Sequence, residues 1–154
     1  MRVHGVFLLG MALGAGALQG QIADLSGTWH LDAQKSHWGK MRRPASVTLQ
    51  IDHREPVFRY TGVVVYGNDQ TRHFTFDGAL DGKPYPGQRS WGAGTVSLTR
   101  VSPTALTSVF RSEDGKYVET VEISLSRDRK VLTQQMSLTC PEGKRSWTEV
   151  YQKR

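Results

Sequence analysis

The chain has 154 residues, 38% hydrophobic and 22% charged, with 20 Lys and Arg against 14 Asp and Glu. That length leaves room for one domain, and that balance is of a globular protein rather than a disordered or membrane-spanning one. A single cysteine, Cys140, excludes an intramolecular disulfide, so stability has to come from packing.

In chain order, Arg2 and His4 precede an apolar run from Val6 to Leu18. The run falls short of the roughly 20 apolar residues a membrane span needs, and Ala15 and Ala17 suit the small-residue positions of a cleavage site. Residues 1–20 are therefore expected to be a signal peptide cut after Ala17 or Gly20, directing the protein to the periplasm or the extracellular space. An uncleaved anchor or a buried first helix is the alternative. Removing this leader takes Arg2 and no acid, lowering the formal charge from +6 to +5.

From residue 25 onward, short runs with period-two alternation are separated by Gly, Pro, Asn and Asp clusters, the pattern of antiparallel strands joined by tight turns. Strands are predicted at Gly27–Ala33, Ser46–His53, Val57–Tyr66, Thr71–Asp77, Thr95–Ser102, Ala105–Ser112, Tyr117–Ser126, Val131–Thr139 and Arg145–Lys153, with a short extra piece around Tyr85. Reversals are predicted at Gly67-Asn68-Asp69, Asp77-Gly78, Asp81-Gly82, Asp114-Gly115 and Glu142-Gly143, which supply the positive-φ residues hairpins require. Connections this short favour a meander of hairpins, and a sheet of this size curls and closes to remove its edges. The fold class expected for residues 21–154 is thus all-β, an antiparallel up-and-down barrel of about 8–10 strands.

Alternation assigns sides. Val47, Leu49 and Ile51 share one face of their strand, as do Phe74 and Phe76. The face holding Tyr117, Val121, Ile123 and Leu125 also carries Glu119, and the face of Leu132, Met136 and Leu138 carries Gln134. Polar residues on apolar faces point to a partly wet interior, although a bulge that shifts register would look the same.

Two segments carry a family resemblance. Leu25-Ser26-Gly27-Thr28-Trp29-His30-Leu31 resembles the Gly-x-Trp opening of the lipocalin and fatty-acid-binding barrels, and Thr148-Glu149-Val150-Tyr151-Gln152-Lys153 resembles the closing strand of the fatty-acid-binding proteins. Asp81-Gly82-Lys83-Pro84-Tyr85-Pro86 is similar to a segment of many small exported bacterial proteins with the same opening. The resemblance implies that the first and last strands are neighbours, with the Trp29 indole plugging one end of the barrel beneath Lys153 or Arg154. It also implies a ligand-holding interior. Two departures qualify it: the arginine of the family's carboxylate-gripping Arg-x-Tyr pair is Glu149 here, with Tyr151 retained, and Ser36–Pro44 is too short for the family's helical lid. A glutamate at that position repels a fatty-acid head group, and a lidless, more open barrel is implied.

No catalytic constellation is evident. His30, His37, His53 and His73 show no i, i+4 pair, Ser90 lacks the spacing of a nucleophile elbow, and Gly92-Ala93-Gly94 reads as a flexible approach to the next strand. Cys140 reads as a small packed side chain. Glu119 and Glu149 are the only carboxylates whose parity could bring them together inside for acid–base work; the alternative is a pair of surface glutamates balancing nearby cations. The basic stretch Lys35, His37, Lys40, Arg42 and Arg43 lacks aromatic interleaving, so nucleic acid is not an expected partner, while weak contact with an anionic envelope surface is.

The leading expectation is a monomeric binding protein without cofactor or metal, holding a small lipophilic or aromatic molecule against Trp29, Tyr60, Phe74, Phe76, Phe110, Glu149 and Tyr151. A solid barrel with an interaction role, and a barrel enzyme or haem binder, are the alternatives. An interior of several hundred cubic ångströms favours the first and a filled interior the second.

Overall fold

Ten strands follow the alternation closely: β1 Gly27–Leu31, β2 Ser46–Arg54, β3 Val57–Val65, β4 Thr71–Ala79, β5 Asp81–Arg89, β6 Gly92–Ser102, β7 Ala105–Ser112, β8 Val118–Leu125, β9 Val131–Cys140 and β10 Gly143–Lys153. The computed structural model describes residues 22–154, so the leader expected over residues 1–20 lies outside the described residues. Each strand pairs antiparallel with its neighbours in sequence, and β1 closes the cylinder by pairing with β10 as well as β2.

Closure is the step on which the rest depends. Trp29 stands opposite Lys153 across one seam and Leu49 across the other, so the two ends of the chain lie side by side. The indole is fully buried, its Nε1 donates to the Leu25 carbonyl at 3.0 Å, and the Lys153 ammonium lies 5.4 Å from its ring centroid. Lys153, rather than Arg154, takes the covering role; Arg154 instead donates its backbone N–H to the Thr28 carbonyl.

The segment preceding β1 seals this end. Ala23 and Leu25 are buried, the Ala23 N–H donates to the Pro103 carbonyl, and His53 Nδ1 accepts from the Leu25 N–H at 3.2 Å. The other ring nitrogen of His53 faces Glu55, which is ion-paired with Arg100. A buried imidazole with both nitrogens engaged serves here as a fixed bracket between segments.

Three sequence expectations need correcting. The piece around Tyr85 is a full nine-residue strand, because Pro84 and Pro86 fall where β5 pairs with β4 only through Thr75–Gln88 and Phe76–Gly87. On the other seam a register shift between Asp81 and Pro84 absorbs the irregularity, and proline is tolerated where a strand lacks a partner on one side. Asp77-Gly78 is not a reversal: both residues pair with β3, and the register of β4 with β5 centres the turn on the other predicted reversal, Asp81-Gly82, where Gly82 has φ 74°. Gly92-Ala93-Gly94 opens β6 rather than approaching it loosely, with Gly94 paired to both Gly87 and Ser112.

Two other hairpins share one device. In Ser112–Lys116 and Ser126–Lys130, an aspartate accepts from the serine hydroxyl and from the lysine N–H, while the serine oxygen accepts from the N–H of the residue after the lysine, Tyr117 or Val131. The left-handed position is Gly115 in the first and Arg129 in the second, at φ 70° and 60°. The second lacks a glycine, so its turn is not visible from glycine punctuation.

Candidate functional site

The inward parity of the strands delivers a mixed set of side chains to the interior. Val47, Leu49 and Ile51 of β2, Tyr60 of β3, Phe74 of β4, and Val121 and Ile123 of β8 form an apolar wall. Into the same space project Arg89, Ser108, Glu119, Gln134 and Glu149, and together they surround a cavity of about 120 Å³. The interior is neither solid nor as large as the several hundred cubic ångströms expected of an open ligand barrel.

The cavity faces the end of the barrel opposite Trp29, where the link from β1 to β2 crosses. After Leu31 the chain bulges outward, with Ser36 accepting the Val150 N–H at 2.9 Å, and rejoins β10 where His37 bridges to Thr148. It then lays Trp38, Met41 and Pro44 along the cavity mouth, beside Tyr66 and Trp91. The absent helical lid is therefore replaced by a short apolar strap, a correction to the lidless barrel expected from the length of the link. Trp91 lies parallel to Tyr117, with centroids 6.2 Å apart and 7° between planes.

Two polar networks occupy the interior. Arg89, buried on β5, donates from Nε to Glu119 at 3.1 Å, from Nη2 to the Tyr60 hydroxyl and from Nη1 to the Gln88 carbonyl at 3.3 Å. The second Glu119 oxygen accepts from Trp91 Nε1 at 3.0 Å. Burial by itself disfavours the guanidinium charge, but the Tyr60 oxygen and the Glu119 carboxylate outweigh it and hold Arg89 above its ordinary value. Burial raises Tyr60 above the usual phenol range, which keeps its hydroxyl protonated.

The second network lies on β10. Glu149 accepts from Trp147 Nε1 at 2.7 Å and from the Tyr151 hydroxyl. Both donors are neutral. Burial pushes the Glu149 carboxyl above its ordinary 4.5; the two hydrogen bonds oppose this, and the Glu119 charge adds to it. Tyr151 is raised well above 10.0, by burial and then by the Glu149 charge beside it.

A pH prediction follows from Glu149. Its folded-state pKa lies above its unfolded value, so its favourable contribution is complete below the unfolded pKa and disappears as pH rises through the folded one. The variant Glu149→Gln cannot ionise and escapes that loss. Urea unfolding from about pH 4 to pH 8 is expected to show the variant gaining steadily on the wild type. A difference independent of pH would mean that the carboxyl titrates alike in both states.

Of the residues expected to hold a ligand, Tyr60, Phe74 and Glu149 line the cavity. Phe76 and Phe110 are packed into the core, Trp29 plugs the sealed end, and Tyr151 is buried behind Glu149, which it orients. Phe74 owes its position to a glycine: a Cβ on Gly62, its partner across β3 and β4, would lie 1.9 Å from the ring. Glu119 and Glu149 both face inward, rather than outward among surface cations, yet each has its own pair of donors. His73 and Asp77 are exposed on the outer face, where Asp77 pairs with Arg59. Cys140 is buried and donates to the Gly143 carbonyl.

Sequence reasoning missed Arg89, Ser108, Trp91 and Trp147. Trp147 was within reach, because it shares the parity of Glu149 and Tyr151 on a strand already predicted. Arg89 was hidden by the proline and glycine residues around it. Ser108 is 3% exposed, and its hydroxyl has no hydrogen-bond partner.

No family model matches the sequence, and no curated protein matches it. Solved structures share its architecture. A zebrafish ileal bile acid-binding protein complexed with cholic acid superposes with a TM-score of 0.58 at 14% identity, covering 84% of this chain and 98% of that one. A Schistosoma mansoni fatty acid binding protein in complex with arachidonic acid gives 0.53 at 13% identity, covering 88% and 99%. At such identities the likeness establishes the fold alone, an antiparallel barrel within the 8–10 strands expected from the sequence.

Proposed function

We propose that the protein is an exported binding protein for a compact lipophilic or aromatic molecule held inside the barrel. The observation that carries this reading is the cavity of about 120 Å³, walled by aliphatic and aromatic side chains with a buried, unpartnered Ser108 hydroxyl among them. A buried polar atom without a partner costs about 1–3 kcal/mol, so an occupant that satisfies it is favoured. Export is supported by the apolar run Val6–Leu18 behind Arg2.

Size narrows the ligand. Pockets for drug-sized molecules run from about 300 to 1,000 Å³, whereas an apolar cavity of about 150 Å³ admits benzene. The ligand is accordingly of single-ring scale, smaller than the cholic and arachidonic acids of the two neighbouring structures. The exposed Lys35, His37, Lys40, Arg42 and Arg43 stand in the link beside the mouth, where contact with an anionic surface would adjoin the route in.

The test is titration of the purified protein with toluene, read by tryptophan emission, since Trp38, Trp91 and Trp147 border the cavity. A saturable change is expected. It should vanish in Ser108→Leu and in Val121→Phe, two independent ways of filling the space, each checked for fold by near-ultraviolet circular dichroism. A response that does not saturate, or that survives both fillings, defeats the proposal.

A further inference from the structure

The charges inside the barrel do not balance, and that imbalance bears on the kind of head group the cavity accepts. Among the charged side chains that border the cavity, Arg89, Glu119 and Glu149 reach its interior wall and Arg42 stands at its mouth. Arg89 is committed to Glu119 at 3.1 Å, to Tyr60 and to the Gln88 carbonyl, which leaves that pair neutral as a unit. Glu149 has only the uncharged Trp147 and Tyr151 as donors. Arg42 at the mouth is exposed and engaged with Asn68, Gln70 and the face of Tyr66. Once Glu149 ionises, the cavity carries one negative charge with no counter-ion.

The surroundings of that charge suit a cation. Tyr60, Phe74, Trp91 and Trp147 line the same space, and aromatic faces attract ammonium groups most strongly where water is excluded. The Ser108 hydroxyl, buried without a partner, borders the same cavity from β7 and can accept a hydrogen bond from the occupant. Gln134, opposite Glu149 in the register of β9 and β10, adds an amide oxygen. A carboxylate ligand meets the reverse situation, with two glutamates on the wall and the buried Arg89 already committed to Glu119 and Tyr60.

We infer that the occupant carries a protonated amine on a compact apolar body, with its nitrogen directed to Glu149. This rests on the cavity being a ligand site, and it specifies the ligand's charge. A desolvated cation against an otherwise unpaired carboxylate forms a charge-assisted hydrogen bond that a neutral isostere lacks. The titratable and charged groups facing Glu149 are Tyr151 on its own strand and, from β8, Glu119 with its partner Arg89; β9 presents the uncharged Leu132, Gln134 and Met136. Burial disfavours the ionised carboxylate and a bound cation favours it, so amine uptake and Glu149 ionisation are coupled.

The experiment compares three ligands of nearly one shape: 2-phenylethylamine, 2-phenylethanol and phenylacetate. Each is titrated calorimetrically into the whole protein near neutral pH. The amine is expected to bind about tenfold or more tighter than the alcohol, and phenylacetate about tenfold or more weaker. In Glu149→Gln the amine's advantage should collapse while the affinity for 2-phenylethanol stays the same. Should that variant fold poorly, the wild type provides a second reading: amine affinity measured from about pH 4 to pH 8 should rise as Glu149 ionises, and 2-phenylethanol affinity should not. Equal or tighter binding of phenylacetate, an amine preference that survives Glu149→Gln, or an amine affinity that does not rise with pH would overturn the inference while leaving the ligand site standing. If none of the three binds, the inference and the ligand site fall together.

Discussion

Replacing Arg89 with methionine is expected to destabilise the protein by about 3–5 kcal/mol, the cost of breaking a buried ion pair by removing one partner. Arg89 and Glu119 have side chains 8% and 4% exposed, so neither is relieved by bulk water when the other is lost. In Arg89→Met, Glu119 keeps one donor, Trp91, and the Tyr60 hydroxyl loses its contact with the guanidinium. Adding Glu119→Leu should recover most of the loss, since an apolar pair of similar volume is often as stable as the ion pair it replaces. Urea unfolding of the two single variants and the double variant measures the coupling directly. A single Arg89→Met variant within about 1 kcal/mol of wild type would show that cavity water solvates Glu119 well, contrary to a wall that excludes it.

How much of this arrangement is legible in the residues depends on what each signal encodes. The strands β2, β3, β7, β8 and β9 are legible because one face is buried and the other wet, so alternation records the fold directly. Closure is legible for a different reason: the Gly27-x-Trp29 opening and the basic closing strand resemble the two ends of a barrel family whose first and last strands are neighbours. By contrast, β5 is nearly invisible. Its sequence, Asp81 to Arg89, holds two prolines and two glycines, which normally argue against a strand, and it is held in place by β6 along most of its length. Tertiary pairing overrides local preference there, and Arg89 comes with it.

The site illustrates the same limit. Parity alone places Glu119, Gln134 and Glu149 on inward faces, and the structure agrees. Parity says nothing of depth along the barrel, however, and depth separates Tyr60 and Phe74, which line the cavity, from Trp29 below them at the sealed end. Cavity volume is less legible still, because it depends on how the aromatic rings divide the space between them. Phe58, Tyr60, Phe74, Phe76 and Tyr85 form a continuous chain of ring contacts with centroids 5.5 to 6.2 Å apart, and Phe58, Tyr60 and Phe74 of that chain border the cavity and confine it.

That confinement depends on the plug beneath it. Substituting Trp29 with alanine should cost about 3–5 kcal/mol, the range for deleting a large buried aromatic. Three interactions go with the ring. Its fully buried surface is lost from the core, the Leu25 carbonyl loses its donor at 3.0 Å, and Lys153 loses the face over which it lies. They differ in weight: Trp29→Phe, which keeps much of the apolar area and loses the hydrogen bond, should cost closer to 1–2 kcal/mol. Lys153→Ala, at an exposed cation–aromatic contact, should cost about 0.5–1 kcal/mol. Location matters as much as magnitude, because β1 is only five residues long and joins the last strand through three pairs. Amide exchange in Trp29→Ala should therefore accelerate first at Asp32 and Arg154, whose N–H groups donate across that seam to Val150 and Thr28, before the long β9–β10 ladder is affected. If the alanine variant unfolds at the wild-type urea midpoint, or opens evenly all round the cylinder, then the indole is not what holds the barrel shut.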